Sequence, residues 1–212
     1  MKKGFLSIAL IVSAYSQVFA QEAKVISDCI ILYKVSVEDS KADSQFVKAM
    51  RGTTKVVYIK GAKSRSDLIT PRFKQTTLFD EKSDSTIILR ELGNTKYISY
   101  LTSTKRTEQN KKYEGIQFNP TTDKKTILGY ECKKVVAKLG DGSTYNVYYT
   151  TSIIPSNKEY EYQFKDLPGF VLEYEAESED GKTKISYTAA QITLVPVPVA
   201  RFDIPKSGYR VL

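Results

Sequence analysis

The chain has 212 residues, a formal charge of +8 and no histidine, so neither a Ser-His-Asp nor a Cys-His nucleophilic site can be assembled from it, and the commonest zinc ligand is missing. Its 32 basic and 24 acidic side chains are interspersed, in pairs such as Lys105-Arg106 and Lys133-Lys134, which is the pattern of a solvated surface rather than the concentrated basic face of a nucleic-acid binder. Neither a Walker A loop nor a Gly-x-Gly-x-x-Gly run is present, which argues against the common nucleotide-binding folds.

Residues 1–20 read as an export signal. Lys2 and Lys3 give a positive start, Phe5 to Val12 an apolar core, and Val18-Phe19-Ala20 a small-x-small cleavage site. Removing this segment takes two lysines and no acidic residue from the formal +8, leaving +6. The expected organisation is a signal peptide over 1–20 and one β-rich envelope domain over 21–212. The destination is the periplasm, the outer envelope or the exterior. The leader core is too short to span a bilayer, and no later segment is long and apolar enough to do so.

Alternation begins at once. Cys29, Ile31, Tyr33, Val35 and Val37 share one face of a strand. A single short α-helix follows, capped by Asp43 or Ser44, with Phe46, Val47 and Met50 as its apolar stripe and Gly52 ending it. Strands are then predicted over 54–60, 65–69, 73–80, 86–92 and 96–103. Thr104 to Lys112 reads as a polar loop. Further strands are predicted over 115–118, 133–139, 145–150, 159–164, 170–177 and 183–193. Turn signals at Gly61-Ala62-Lys63, Leu92-Gly93-Asn94, Gly140-Asp141-Gly142 and Glu179-Asp180-Gly181 separate them.

The clearest strand pair comes late in the chain. Phe170, Leu172, Tyr174 and Ala176 oppose Glu173, Glu175 and Glu177, and the partner run sets Ile185, Tyr187 and Ala189 against Lys182, Lys184 and Ser186. Glu–Lys pairs across the polar face would fix register. Pro168-Gly169 predicts a type II turn, with Gly169 taking a positive φ. The Pro196-Val197-Pro198 tail cannot sit in a central strand and is expected across a sheet edge or a cavity mouth. Two cysteines in an oxidising compartment predict a Cys29–Cys132 disulfide, with two buried free thiols as the other outcome.

Three phrases between Lys125 and Tyr174 carry a family resemblance. Gly129-Tyr130-Glu131-Cys132, the run Tyr148 to Pro155, and Leu167-Pro168-Gly169-Phe170-Val171 are similar to the signature of the GLPGLI family of secreted bacterial envelope proteins. Asp166 stands at that motif's first glycine, and Phe170-Val171 replace Leu-Ile. The Phe202-to-Tyr209 ending and Tyr58-Ile59-Lys60-Gly61 resemble a neighbouring uncharacterised secreted family. In architecture these groups resemble the periplasmic lipoprotein-carrier (LolA-like) fold. The resemblance implies a curved antiparallel sheet forming an incomplete barrel, with a hydrophobic cavity under a helical lid. It implies no activity.

Three functions are weighed. The first, and preferred, is a non-enzymatic binding protein holding a lipid or other hydrophobic ligand against Tyr33, Val35, Phe170, Leu172, Tyr174, Ile185 and Tyr187, with no cofactor and no metal. The alternative is an accessory protein that docks an outer-membrane transport or assembly partner through an edge strand or the 104–112 loop. The third is a hydrolase using carboxylates spaced i, i+2, such as Glu159 with Glu161. Alternating charges on an exposed strand explain such pairs more simply.

Overall fold

Local turn chemistry folds most of the chain into successive hairpins. The computed structural model describes residues 23–37, 44–178 and 183–212. The expected leader over 1–20, the Asp43 cap and the turn expected at Glu179-Asp180-Gly181 lie outside the described residues. A short β1 (Lys24–Ile26) leads into β2 (Asp28–Val37), helix α1 (Ser44–Met50) and the meander β3 (Thr54–Lys60), β4 (Lys63–Ile69), β5 (Phe73–Asp80), β6 (Ser85–Leu92) and β7 (Thr95–Leu101). Helix α2 (Ser103–Gln109) then carries the chain to the far edge. There β8 (Gln117–Ile127), β9 (Tyr130–Lys138) and β10 (Thr144–Thr150) pair in turn. A short β11 (Ile153–Pro155) and two 3₁₀ turns over Lys158–Tyr160 and Tyr162–Phe164 precede β12 (Phe170–Glu177), β13 (Lys184–Thr193) and β14 (Arg210–Val211).

Twelve strands form one curved sheet in the order β14-β7-β6-β5-β4-β3-β2-β13-β12-β10-β9-β8, which does not close into a barrel. All neighbours are antiparallel except β14 with β7. β1 and β11 make a separate parallel pair. The fold class is therefore mainly β with an incomplete barrel, as expected, but with two short α-helices among the described residues instead of one. Among the described residues no helix is long and apolar enough to cross a membrane.

The main core lies on the inner face of the sheet. Ile31, Val57, Val147, Phe170 and Leu172 are its fully buried centre, and Phe46 and Met50 of α1 pack on its margin. A smaller cluster on the outer face, Leu78, Leu89 and Ile98, is covered by Phe202 and Tyr209 of the tail. The tail is fastened at both ends. The Val197 N–H donates to Asp28 at 2.9 Å, and the Tyr209 hydroxyl donates to Glu91 at 2.8 Å. It thus reaches a sheet edge, as expected, but covers the outer face of the sheet and not the inner one.

Five expectations are corrected. The 104–112 loop is largely helix α2. It starts where Thr102 accepts the Lys105 N–H, and its only buried residue is an arginine, Arg106, so no apolar periodicity betrays it. The strand expected over 159–164 is two 3₁₀ turns, because the buried Asn157 accepts the Glu159 N–H and donates to the Ala62 carbonyl, bending the chain over the sheet. Gly169 has no positive φ. Glycine is needed there because a Cβ would sit 2.0 Å from the Thr150 carbonyl oxygen.

The Cys29–Cys132 disulfide is the fourth correction. Both cysteines are buried free thiols on β2 and β9, and three strands, β13, β12 and β10, lie between them in the sheet. Burial pushes the Cys29 thiol up to about 12, with Asp28 adding to it, and the Cys132 thiol up to about 11. Both are therefore protonated and poorly nucleophilic near neutrality.

Edge strand β8 runs eleven residues, far beyond the expected 115–118. Its ladder is broken between Pro120 and Lys124, an arrangement an edge tolerates and a central strand does not. The hairpin to β9 turns on Leu128 and Gly129, both at positive φ, as a two-residue type I′ turn requires.

Candidate functional site

The inner face has two unlike halves. On β2, β13, β12 and β10 the inward positions are aromatic or aliphatic. The Tyr187 ring stacks on Tyr174 at 4.6 Å and an interplanar angle of 2°, while Tyr33 and Phe164 meet Tyr174 edge-on at 6.1 and 4.9 Å. The Tyr33 hydroxyl donates to the Val171 carbonyl at 2.7 Å, so its one polar atom is satisfied inside the core. Burial raises the Tyr33 and Tyr174 phenols well above their usual range and pushes Tyr187 up to about 12, with Glu161 adding to the effect in each.

On β4, β5 and β6 the inward positions are largely hydroxyls and amides. Register sets Ser64 opposite Phe79, Ser66 opposite Thr77, and Thr77 opposite Ile88. Helix α2 and the 158–162 segment cover this half. Beneath them lies a cavity of about 270 Å³. Lys55 of β3, Arg106 of α2, and Glu159 and Glu161 of the covering segment line it.

Two ion pairs line the cavity. Lys55 Nζ lies 2.8 Å from Glu161 Oε1 and donates to the Tyr174 hydroxyl at 2.8 Å. The ammonium also sits 5.4 Å from the ring centres of both Tyr174 and Tyr187, within cation–π range. Glu161 Oε1 is out of line for a hydrogen bond from Lys55 and has no other partner, so charge alone holds it. Arg106 donates to Glu159, approaches Asp84 at 3.4 Å, and places its guanidinium 3.8 Å from the centre of the Phe79 ring. Lys55 and Glu161 are thus a largely buried matched pair, as buried ions require, whereas Arg106 is shared between two partly exposed carboxylates.

The seven residues expected to bind a ligand do come together, but mostly with one another. Phe170 and Leu172 are fully buried, Tyr33, Tyr174 and Ile185 nearly so, and half-buried Val35 pairs with Tyr187 across β2 and β13. Only Tyr187 borders the cavity. The carboxylates Glu159 and Glu161 do share the site, yet Glu159 lies in a 3₁₀ turn and Glu161 on the extended residue between two such turns, each beside its own cation, not on a solvated strand. Lys55 and Arg106 carried no sequence signal. Lys55 occupies an inward position of a strand otherwise apolar on that face, which was the available clue.

Comparisons with known proteins speak to fold alone. No protein-family model matches the chain, and no curated protein does, so the GLPGLI resemblance rests on its quoted phrases. A solved structure of PNGF-II superposes on 87% of the chain with a TM-score of 0.50 and 16% identity; the chain spans 30% of that protein's length. An uncharacterized conserved protein from Thermus thermophilus superposes on 88% of this chain and 90% of its own, with a TM-score of 0.50 and 11% identity. A putative outer membrane lipoprotein-sorting protein domain from Vibrio parahaemolyticus covers 84% of this chain and 89% of its own at 8% identity, but with a TM-score of 0.23.

Proposed function

We propose that this chain is an exported, non-enzymatic binding protein that holds one small molecule between the inner face of β4–β6 and the cover made by α2 and residues 158–162. The observation that carries the reading is the covered cavity of about 270 Å³, kept open beside a core that is otherwise filled. A domain with only a structural role has no reason to line such a space with a desolvated ion pair such as Lys55–Glu161, because replacing such a pair by packed apolar side chains is often neutral or stabilising.

The lipid-carrier form of this reading has weaker support. The aromatic half that would receive an acyl chain is occupied by its own Tyr33, Tyr174 and Tyr187 rings. A second reading, an accessory protein docked on an outer-membrane partner, is favoured by exposed Val211 and Leu212 at the β14 edge of the sheet. The opposite edge, β8, is guarded by Pro120, the break in its ladder and two lysines.

Native mass spectrometry with solvent extraction, on protein purified from its own envelope compartment, tests the proposal. A stoichiometric small-molecule adduct is the expected result. A bare protein mass, together with a defined complex isolated from the outer membrane, would favour the docking reading instead.

A further inference from the structure

The structure assigns the cavity a ligand class: we infer that it takes an uncharged, polyhydroxylated ring of about one sugar unit. This inference rests on the binding-protein reading above. Three observations lead to it.

The first is charge. The cavity's two cations and two carboxylates cancel as Lys55 with Glu161 and Arg106 with Glu159. A ligand with a net charge would be desolvated there with no free counter-charge to meet it, whereas a neutral one leaves both pairs intact.

The second is the supply of unused polar atoms. Ser66 and Thr77 face each other across β4 and β5 on the cavity wall; both are half-buried, and neither hydroxyl has a hydrogen-bond partner among the described residues. A half-buried hydroxyl left without a partner forgoes a hydrogen bond worth about 1 kcal/mol, which a ligand in the cavity can supply. Hydroxyls both donate and accept. A ring bearing several of them matches Thr, Ser and carboxylate groups together, which an acyl chain cannot do.

The third is size and shape. At about 270 Å³ the space falls just below the range of roughly 300–1,000 Å³ typical of drug-sized sites. Leu68, Ile88 and Leu101 contribute apolar surface to the same lining, which suits the apolar C–H faces of a sugar ring.

The test is titration of the exported, purified chain with glucose and N-acetylglucosamine, with palmitate and glycylglycine as comparison probes, followed by amide chemical shifts and calorimetry. Thr77→Val accompanies the wild type. The expected result is millimolar or tighter binding of a neutral sugar, with shifts concentrated on β4–β6 and α2. In Thr77→Val that affinity falls about tenfold. Because the lost hydroxyl has no hydrogen-bond partner in the fold, the variant's thermal midpoint should stay level or rise, which separates loss of a ligand contact from loss of structure.

Binding of palmitate or glycylglycine in the cavity with no response to either sugar would overturn the ligand class and leave the binding reading standing. Sugar binding unaffected by Thr77→Val, or shifts located elsewhere, would overturn the assignment of this wall. No shift with any probe, combined with no small-molecule adduct on protein from the native envelope, would overturn both.

Discussion

The two halves of the inner face are built on the same continuous sheet and solve opposite problems. From β2 to β10 the inward side chains fill the space themselves: Phe170, Leu172 and Val147 are fully buried, and Tyr174 is packed among three aromatic neighbours. From β4 to β6 the inward side chains mix hydroxyls with Leu68, Phe79 and Ile88 and leave a space under a cover held by ion pairs. One half holds the fold together, and the other keeps a space within it. Lys55 and Tyr174 form the seam between them, since the ammonium contacts the tyrosine hydroxyl on one side and the Glu161 carboxylate on the other.

If this division is real, truncation should hurt the filled half most. Phe170→Ala removes a fully buried ring and is expected to destabilise the protein by about 4 kcal/mol in urea unfolding. A loss under 1 kcal/mol would show that this half is loosely packed. Gly169→Ala should follow at about 3 kcal/mol, because its Cβ would meet the backbone oxygen of Thr150, which cannot swing aside. Wild-type stability in that variant would mean that β10 and β12 can move apart.

At the seam, Glu161→Gln leaves Lys55 without its counter-charge. The expected loss is about 2 kcal/mol, less than for a fully buried pair because the two side chains keep 11% and 15% exposure. In the polar half, Ser66→Ala should change stability by under about 0.5 kcal/mol, since no packing depends on that hydroxyl. A loss there as large as that of Phe170→Ala would erase the distinction between the halves.

The smallest effect concerns the tail. The Val197 N–H and the Lys60 ammonium hold the Asp28 carboxyl below its usual value of 3.8. A depressed folded-state pKa contributes stability that is present above 3.8 and lost as pH falls through the folded value. Acid unfolding of Asp28→Asn should therefore be shallower than that of the wild type in this window. Superimposable curves would show that the Asp28 contact contributes nothing.

Much of the sheet was legible because strand signals are local. Period-2 alternation and flanking turns placed β3, β5 and β12 to the residue, and Lys184 does meet Glu175 on the outer face at 3.4 Å. Where local signal was weak, the reading failed. Helix α2 presents a guanidinium to the interior instead of an apolar stripe, and β8 is an exposed edge with little alternation to read. Gly169 shows a subtler limit. Its identity was marked by the Leu-Pro-Gly phrase, but the reason for it lies in a strand some twenty residues earlier.

By itself, then, the sequence determined a β-rich chain of hairpins, their faces, and a set of aromatic residues destined for one core, because hydrophobic alternation and turn chemistry act between near neighbours. Tertiary structure alone decided where the open space lies. Lys55, Arg106, Glu159 and Glu161 come from separate elements and meet only after the chain crosses from β7 to β8 and folds residues 158–162 back over β4. A charge has no periodicity to announce its partner. Which cation neutralises which carboxylate, and what volume they enclose, depends on distances that exist only once the sheet has curved.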